Sequence, residues 1–259
     1  VMAVGAGGAG LGLTLHNDIC LPYFLSLATD DQKARWLPGI CSGELITAIA
    51  MTEPGTGSDL QAVKTRAIRE GDEYVINGSK TFITNGGTAD LVLVAARTSP
   101  EKKAKGISLF GVDTSLEGFS VGRVLDKVGQ DESDTAELAF ENVRVSDDDL
   151  VGPLDTGFIS MMQFLPQERL GSAVTNISHA AQILEETIEY AKERKAFGQS
   201  ISKFQAIQGK LADMATEIEA ARLLTYKAAW LKDQGRPFAK EAAMAKLYTG
   251  ELSHRAANA

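Results

Sequence analysis

The spacing of apolar positions changes character twice along the chain. Up to residue 47 the sequence is glycine-rich and then helix-like over 30–40. Thr29 followed three residues later by Gln32 is a capping pattern at the start of that helix, and Pro38-Gly39 predicts its end. From residue 48 to about 150 the period shortens to that of strands. AELAFENVRV alternates, with Ala136, Leu138 and Phe140 on one face and Glu137 and Glu141 on the other. ITAIAM, LVLVAAR and ISLFGV are further short runs bounded by Gly, Pro or charged turns. EYVINGSKTFIT sets Asn77-Gly78 between two strand-like runs, which predicts a hairpin turn at that pair. From Gly157 the period becomes helical. Phe204, Ile207, Leu211, Met214, Ile218 and Ala221 share one face, and long antiparallel helices are predicted over 157–174, 177–194, 202–232 and 238–254. The expected plan is α+β: a helical part over 1–47, a middle β domain over 48–152 built as a small antiparallel barrel or sandwich, and a helical bundle over 153–259.

Composition narrows the function classes. With 44% hydrophobic and 23% charged residues over 259 positions, the chain has the makeup of a folded globular protein. Its 26 Lys+Arg against 34 Asp+Glu give a net charge of -8, and scattered basic residues argue against nucleic acid or an anionic membrane as partner. Cys20 and Cys41 make no disulfide framework, and His16, His179 and His254 lie too far apart for a local metal motif. A reducing compartment follows. No apolar run approaches the ~18 residues of a membrane span, and no signal peptide is read. The initial Val and the helix-like end predict a piece of a longer chain.

Gly5, Gly7 and Gly10 fit G-x-G-x-x-G, but the strand, helix and acidic partner that a dinucleotide fold requires do not surround them. Only VMAV precedes, and LPYFL breaks the region where the helix would continue. Close packing of small residues accounts for the glycines. Four other strings are more specific. MTEPGTGSD (51–59) follows a strand with a turn whose successive backbone N–H groups suit an anion or the polar edge of a cofactor. NGSKTFITNGG (77–87) ends in an exposed Thr-Asn-Gly-Gly turn. LPQERL (165–170) opens a helix, and ERKAFGQSISKFQ (193–205) is a basic, aromatic turn between two helices.

These strings, in this order on a helix–β–helix plan, resemble the acyl-CoA dehydrogenase family. KGISLFGV (105–112) and DTAELAFENVRV (134–145) extend the likeness over essentially the whole chain. The LPQERL string is closest to long-chain members. In that family further helices precede Val1, and others with a flavin-contacting loop follow Ala259. The resemblance implies FAD, a fatty acyl-CoA thioester, and removal of the α and β hydrogens to give a trans-2-enoyl-CoA. It implies an electron-transfer flavoprotein as acceptor and a homotetramer built as a dimer of dimers. The compartment would be the cytoplasm of a bacterium or the mitochondrial matrix of a eukaryote. Such chemistry needs a base for the α-proton, an electron sink at the β-carbon, which the flavin supplies at N5, and polarisation of the thioester carbonyl.

By position in the family's motifs, the backbones of Met51 and Thr52 face the flavin's pyrimidine edge. Thr84 lies near N5, with Phe82 and Ile83 alongside. Gly57 and Ser58 lie near the pyrophosphate, and Ser58 also near the acyl-CoA. Arg194, Lys195, Ala196, Phe197 and Gln205 match positions that reach the FAD of a neighbouring subunit, Arg194 as a fork onto phosphate oxygens. Gln167 and Arg169 lie beside the substrate. Glu168 matches the base of long-chain and isovaleryl-type members, whereas many others carry it in a C-terminal segment beyond this chain. Plainer alternatives stand beside these roles. Phe82 and Phe197 suit a core, Arg194 suits a helix C-terminus, and Glu168 suits the first turn of a helix begun by Pro166. A non-catalytic acyl-CoA-binding subunit and a same-fold oxidase or monooxygenase remain open. Intact flavin strings favour the dehydrogenase. The polar stretch GQDESD before TAEL has no physical account from sequence.

Overall fold

The computed structural model describes residues 10–259, and contacts divide them into two compact units, 10–164 and 165–259. Gly5 and Gly7 lie outside the described residues, and Gly10 opens helix α1 (Gly10–Thr14). A π-helical stretch, Leu15–Cys20, carries α1 into α2 (Leu21–Leu27). LPYFL therefore continues the helical path instead of breaking it, with Pro22 in the first turn of α2, where the π-helical register gives way to the α-helical one. Helix α3 (Asp30–Ser42) carries the predicted capping box: Thr29 Oγ1 accepts from the Gln32 amide at 3.2 Å, and Gln32 Oε1 from the Thr29 amide at 2.9 Å. It does not stop at Pro38. Trp36 and Ile40 are buried on either side of the proline and hold the helix together until Gly43 ends it in a left-handed conformation.

The sheet comprises β1 (Thr47–Ala50), β2 (Arg66–Glu70), β3 (Glu73–Thr84), β4 (Leu91–Arg97), β5 (Ile107–Asp113), β6 (Phe119–Val124) and β7 (Thr135–Ser146). Its ladder order is β1-β4-β2-β3-β7-β6, with β5 also paired to β4. Most pairings are antiparallel, as expected, but β1 runs parallel to β4, and β2 meets β4 in parallel at Arg66–Arg97. The curled sheet has two apolar faces. Val92, Val94 and Ala96 of β4 join Ile76, Phe110, Leu138 and Phe140 on one side. Leu91, Leu93 and Ala95 join Tyr23, Phe24, Trp36 and Met161 on the other, under α2 and α3. Burial on both faces is why LVLVAAR reads as an unbroken apolar run. Strands β2 and β6 were not anticipated, since in each almost every side chain but Ala67 is exposed or half-exposed and no alternation marks them.

The Asn77-Gly78 pair is no hairpin turn: β3 runs straight through it. The tight turn is Gly71-Asp72, between the paired Glu70 and Glu73. At Asn77 the register with β7 slips, so that Glu141 and Asn142 face one residue, and Asn142 takes the left-handed conformation an Asn tolerates. The two asparagines exchange hydrogen bonds, Asn142 N to Asn77 Oδ1 at 2.9 Å and Asn77 Nδ2 to Asn142 Oδ1 at 3.1 Å. Gly78 is needed because a Cβ there would lie 2.7 Å from the Thr65 Cα. Gly78→Ala is expected to destabilise this unit by at least about 2 kcal/mol, since backbone must move to admit the methyl group. Urea unfolding of the variant checks it, and an unchanged midpoint would contradict the close approach.

The helical unit is built from α4 (Gly157–Glu193), which begins in the first unit and crosses the division, α5 (Gln205–Asp233) and α6 (Ala239–Asn258). Helix α4 is one helix where two were predicted. Ile177, Ala180, Met214, Ile218, Ala221, Leu252 and Ala256 form one apolar cluster of this unit. Leu170, Ala228 and Ala242 form another. Among the described residues no helix is long and apolar enough to cross a membrane.

Candidate functional site

In the first unit, strings 51–59 and 77–87 lie against each other. The Thr81 amide donates to the Thr52 carbonyl at 3.0 Å, and Lys80 Nζ donates to the Met51 carbonyl at 3.1 Å. Glu53 and Thr56 exchange backbone hydrogen bonds of 2.9 and 3.0 Å around Pro54-Gly55, making a two-residue turn. Beyond it Gly57 and Ser58 are exposed. Among the described residues their amides make no backbone hydrogen bond, and a Cβ built on Gly55 or Gly57 meets nothing within 4 Å. The loop thus offers unbonded N–H groups and open space outward, which suits an anionic group.

Phe82 stands at a second bulge. Lys80 pairs with Leu138 and Ile83 with Ala136, so Thr81 and Phe82 share one partner position, Glu137. The extra residue puts Phe82 at φ 58, which a bulky side chain rarely adopts, and leaves it 66% exposed. Core packing is therefore not its role. Ile83, by contrast, is only 2% exposed and lies in the sheet's apolar interior, so its side chain is not available to a ligand outside the sheet. Thr84 is half-buried at the end of β3.

The turn after Thr84 is not the exposed one predicted. Asn85 and Gly86 are buried, and Asn85 Nδ2 donates to the carbonyls of Gly12 (3.1 Å) and Thr47 (3.2 Å). Asp134 holds the turn's other side, accepting from the Gly87 amide at 2.6 Å and from Thr88 Oγ1 at 2.9 Å. That contact accounts for part of the polar stretch before TAEL.

Beneath the two strings lies a buried ion pair that sequence reasoning quoted but did not single out. Lys80 Nζ donates to Glu53 Oε1 at 3.0 Å, and Glu53 also accepts from the amides of Lys64 (2.7 Å) and Thr65 (2.9 Å). Burial pushes the Lys80 ammonium down to about 8, against the raising influence of Glu53. Burial alone would push the Glu53 carboxyl up, but the Lys80 ammonium and the two amides outweigh it and hold the carboxyl below its ordinary value. The available signal was parity: Lys80 shares the phase of the buried Tyr74 and Ile76 along β3, where a cation demands a partner.

In the helical unit, β8 (Lys195–Ala196) and β9 (Gln199–Ser200) form a miniature hairpin whose turn is Phe197-Gly198, both at positive φ. Phe197 is 96% exposed, so core packing is excluded for it as well. Arg194, Lys195 and Gln205 are also exposed, Gln205 as the first residue of α5, and Phe197 meets Phe204 edge-on at 6.1 Å. The Phe197–Phe204 contact and the Ile201 N–Arg194 O bond of 2.8 Å bring the hairpin close to the start of α5. Gln167, Glu168 and Arg169 are half-buried on α4. LPQERL does not open that helix: Pro166 lies inside it, ten residues in counting from Gly157, so the helix-terminus field invoked for Glu168 does not apply.

A curled, mainly antiparallel sheet preceded by short helices and followed by long ones, with an exposed amide loop on the string bonded to β3 and an exposed aromatic on β3 itself, defines an α+β scaffold with room for a ligand outside the sheet. Residues 1–44, 48–143 and 155–259 match the family models for the N-terminal, middle and C-terminal domains of acyl-CoA dehydrogenases. The chain is 45% identical over 250 residues to the mouse (Mus musculus) mitochondrial long-chain specific acyl-CoA dehydrogenase, covering 96% of this chain and 58% of that protein. An acyl-CoA dehydrogenase from Geobacillus kaustophilus superposes with a TM-score of 0.93 at 45% identity, covering 96% of this chain and 66% of that one. The FAD complex of PigA gives 0.90 at 30% identity, covering 95% and 64%. The chain belongs to the acyl-CoA dehydrogenase family, a family of FAD-dependent oxidoreductases. It spans about three-fifths of the length of the mouse relative.

Proposed function

We propose that the whole protein is an FAD-dependent acyl-CoA dehydrogenase acting on straight-chain medium or long fatty acyl-CoA. The observation that carries this reading is the locked pair of strings: 51–59 is hydrogen-bonded to β3, while its Gly57 and Ser58 are exposed with no backbone partner for their amides among the described residues, and the Phe82 ring is exposed at positive φ. A cradle of open amides fits a pyrophosphate, and an exposed aromatic fits the face of a flat ring. Bound there, FAD supplies the electron sink. The chain's own residues do the rest. The backbones of Met51 and Thr52 hold the pyrimidine edge, Thr84 orients the ring near N5, and Gly57 and Ser58 hold the pyrophosphate. Ser58, Gln167 and Arg169 bind the acyl-CoA, and Glu168 takes the α-proton. Arg194, Lys195, Phe197 and Gln205 serve the FAD of a neighbouring subunit, which requires at least a dimer and suits a homotetramer. Electrons leave to an electron-transfer flavoprotein, in a bacterial cytoplasm or a mitochondrial matrix.

The test is anaerobic addition of a panel of acyl-CoA thioesters to the full-length, FAD-loaded protein. Flavin absorbance is expected to bleach, most completely with medium or long straight chains, and to be restored by the protein acceptor. Rapid peroxide formation in air without a carrier would instead make it an oxidase. Size-exclusion with flavin absorbance checks the shared site: FAD is expected to travel only with the oligomer, and an FAD-saturated monomer would refute it.

A further inference from the structure

Lysine is almost never fully buried unless its ammonium is completely paired. Lys80 is 1% exposed, and its three donors meet three acceptors: the Met51 carbonyl at 3.1 Å, Glu53 Oε1 at 3.0 Å and the Ala95 carbonyl at 2.8 Å. Glu53 is 5% exposed and passes the linkage on to the amides of Lys64 and Thr65. One ion pair therefore joins four segments: the start of the first string, the 64–65 stretch, β3 and β4. A pair of this kind is weak evidence for stability, because well-packed apolar residues of similar volume often do as well. What it does supply is geometry. The ammonium draws the Met51 carbonyl inward, and the adjacent Thr81–Thr52 bond fixes the next carbonyl, so the two peptide units presented by Met51 and Thr52 cannot rotate independently.

We propose that Glu53 and Lys80 are positioning residues that set the orientation of the Met51–Thr52 backbone against the flavin ring, without touching the ring themselves. This rests on the reading that FAD lies at that backbone. The pair acts on cofactor affinity and ring electronics through the peptide units it anchors, since the direction of backbone dipoles near a flavin tunes its potential. Neither residue is assigned a role by the roles carried over from the family's motifs.

The test compares full-length wild type with the Glu53→Gln/Lys80→Met double variant, which leaves no unpaired buried charge. FAD affinity is read by fluorescence titration, ring environment by the visible flavin spectrum and midpoint potential, and folding by thermal melting of the apoprotein. The double variant is expected to fold, bind FAD at least tenfold more weakly and show a shifted potential. A double variant that folds, binds FAD within twofold of wild type and keeps its potential overturns the proposal and leaves the pair merely structural. If the double variant does not fold, Glu53→Asp carries the test, because it keeps both charges and withdraws the carboxylate by one methylene. Several-fold weaker FAD binding with an altered flavin band supports the proposal, and unchanged affinity and band overturn it. Wild-type protein that binds no FAD would defeat the functional reading itself, and that result is seen before any variant is made.

Discussion

Glu168→Gln in the full-length protein is expected to leave acyl-CoA binding within a few-fold of wild type while slowing anaerobic flavin bleaching by about 10²–10⁴-fold, the range of a general base. At roughly 1.4 kcal/mol per tenfold, that is about 3–5 kcal/mol of lost transition-state stabilisation. The substitution keeps the side chain's shape and removes only the proton acceptor. Its placement supports the choice. Glu168 is half-buried in the body of α4, more than two turns from the helix start, beyond the reach of the positive end of that helix. Expulsion of water around a carboxylate by a bound acyl chain disfavours its charged form and so strengthens it as a base. Stopped-flow absorbance under anaerobic conditions measures the rate. Bleaching at near wild-type speed would move the base to another residue.

Lys80→Met alone is expected to cost about 3–5 kcal/mol, because it strands the Glu53 carboxylate in the interior without its cation. For a unit of this size the melting temperature falls by roughly 8–15 °C. The Glu53→Gln/Lys80→Met double variant is expected to recover most of that loss. A single variant as stable as the double one would mean that the two groups are not coupled. The pair also leaves a pH signature. Glu53 titrates below its ordinary 4.5 when folded, so its contribution is complete above that value and is lost as pH falls through the folded one. Lys80 titrates at about 8 instead of 10.5 when folded. Between those values the unfolded chain binds the extra proton, so stability rises with pH across that window. The stability difference between wild type and the double variant, followed by urea unfolding, is expected to climb from pH 8 to 10.5 and to drop below 4.5.

Local patterns carried much of this protein. The Thr29–Gln32 capping box, the buried triplet Ala136, Leu138 and Phe140, and the helical face of Met214, Ile218 and Ala221 are all as the chain's periodicity predicts. Each depends on side chains a few residues apart along one element, where spacing and geometry are the same thing. The ordered strings likewise led to the family, because ligand-facing loops are written in short contiguous stretches.

What contacts decided lies elsewhere. Alternation in β7 moves from even to odd positions after Phe140, so that Val143 and Val145 are buried, because Asn142 bulges where β3 carries Asn77. The same Asn-Gly pair is a turn signal in isolation, yet Gly78 is spent on closeness to Thr65 and the turn falls to Gly71-Asp72. Pro38 and Pro166 lie inside helices, Pro38 held by buried neighbours on either side. Phe82 and Phe197, apolar enough for a core, are turned outward by a bulge and a hairpin. Glu53 and Lys80 are 27 residues apart and become partners only when the first string folds onto β3. Register, bulges and buried charge pairs are set by residues far away in sequence, so local pattern does not contain them and the folded chain does.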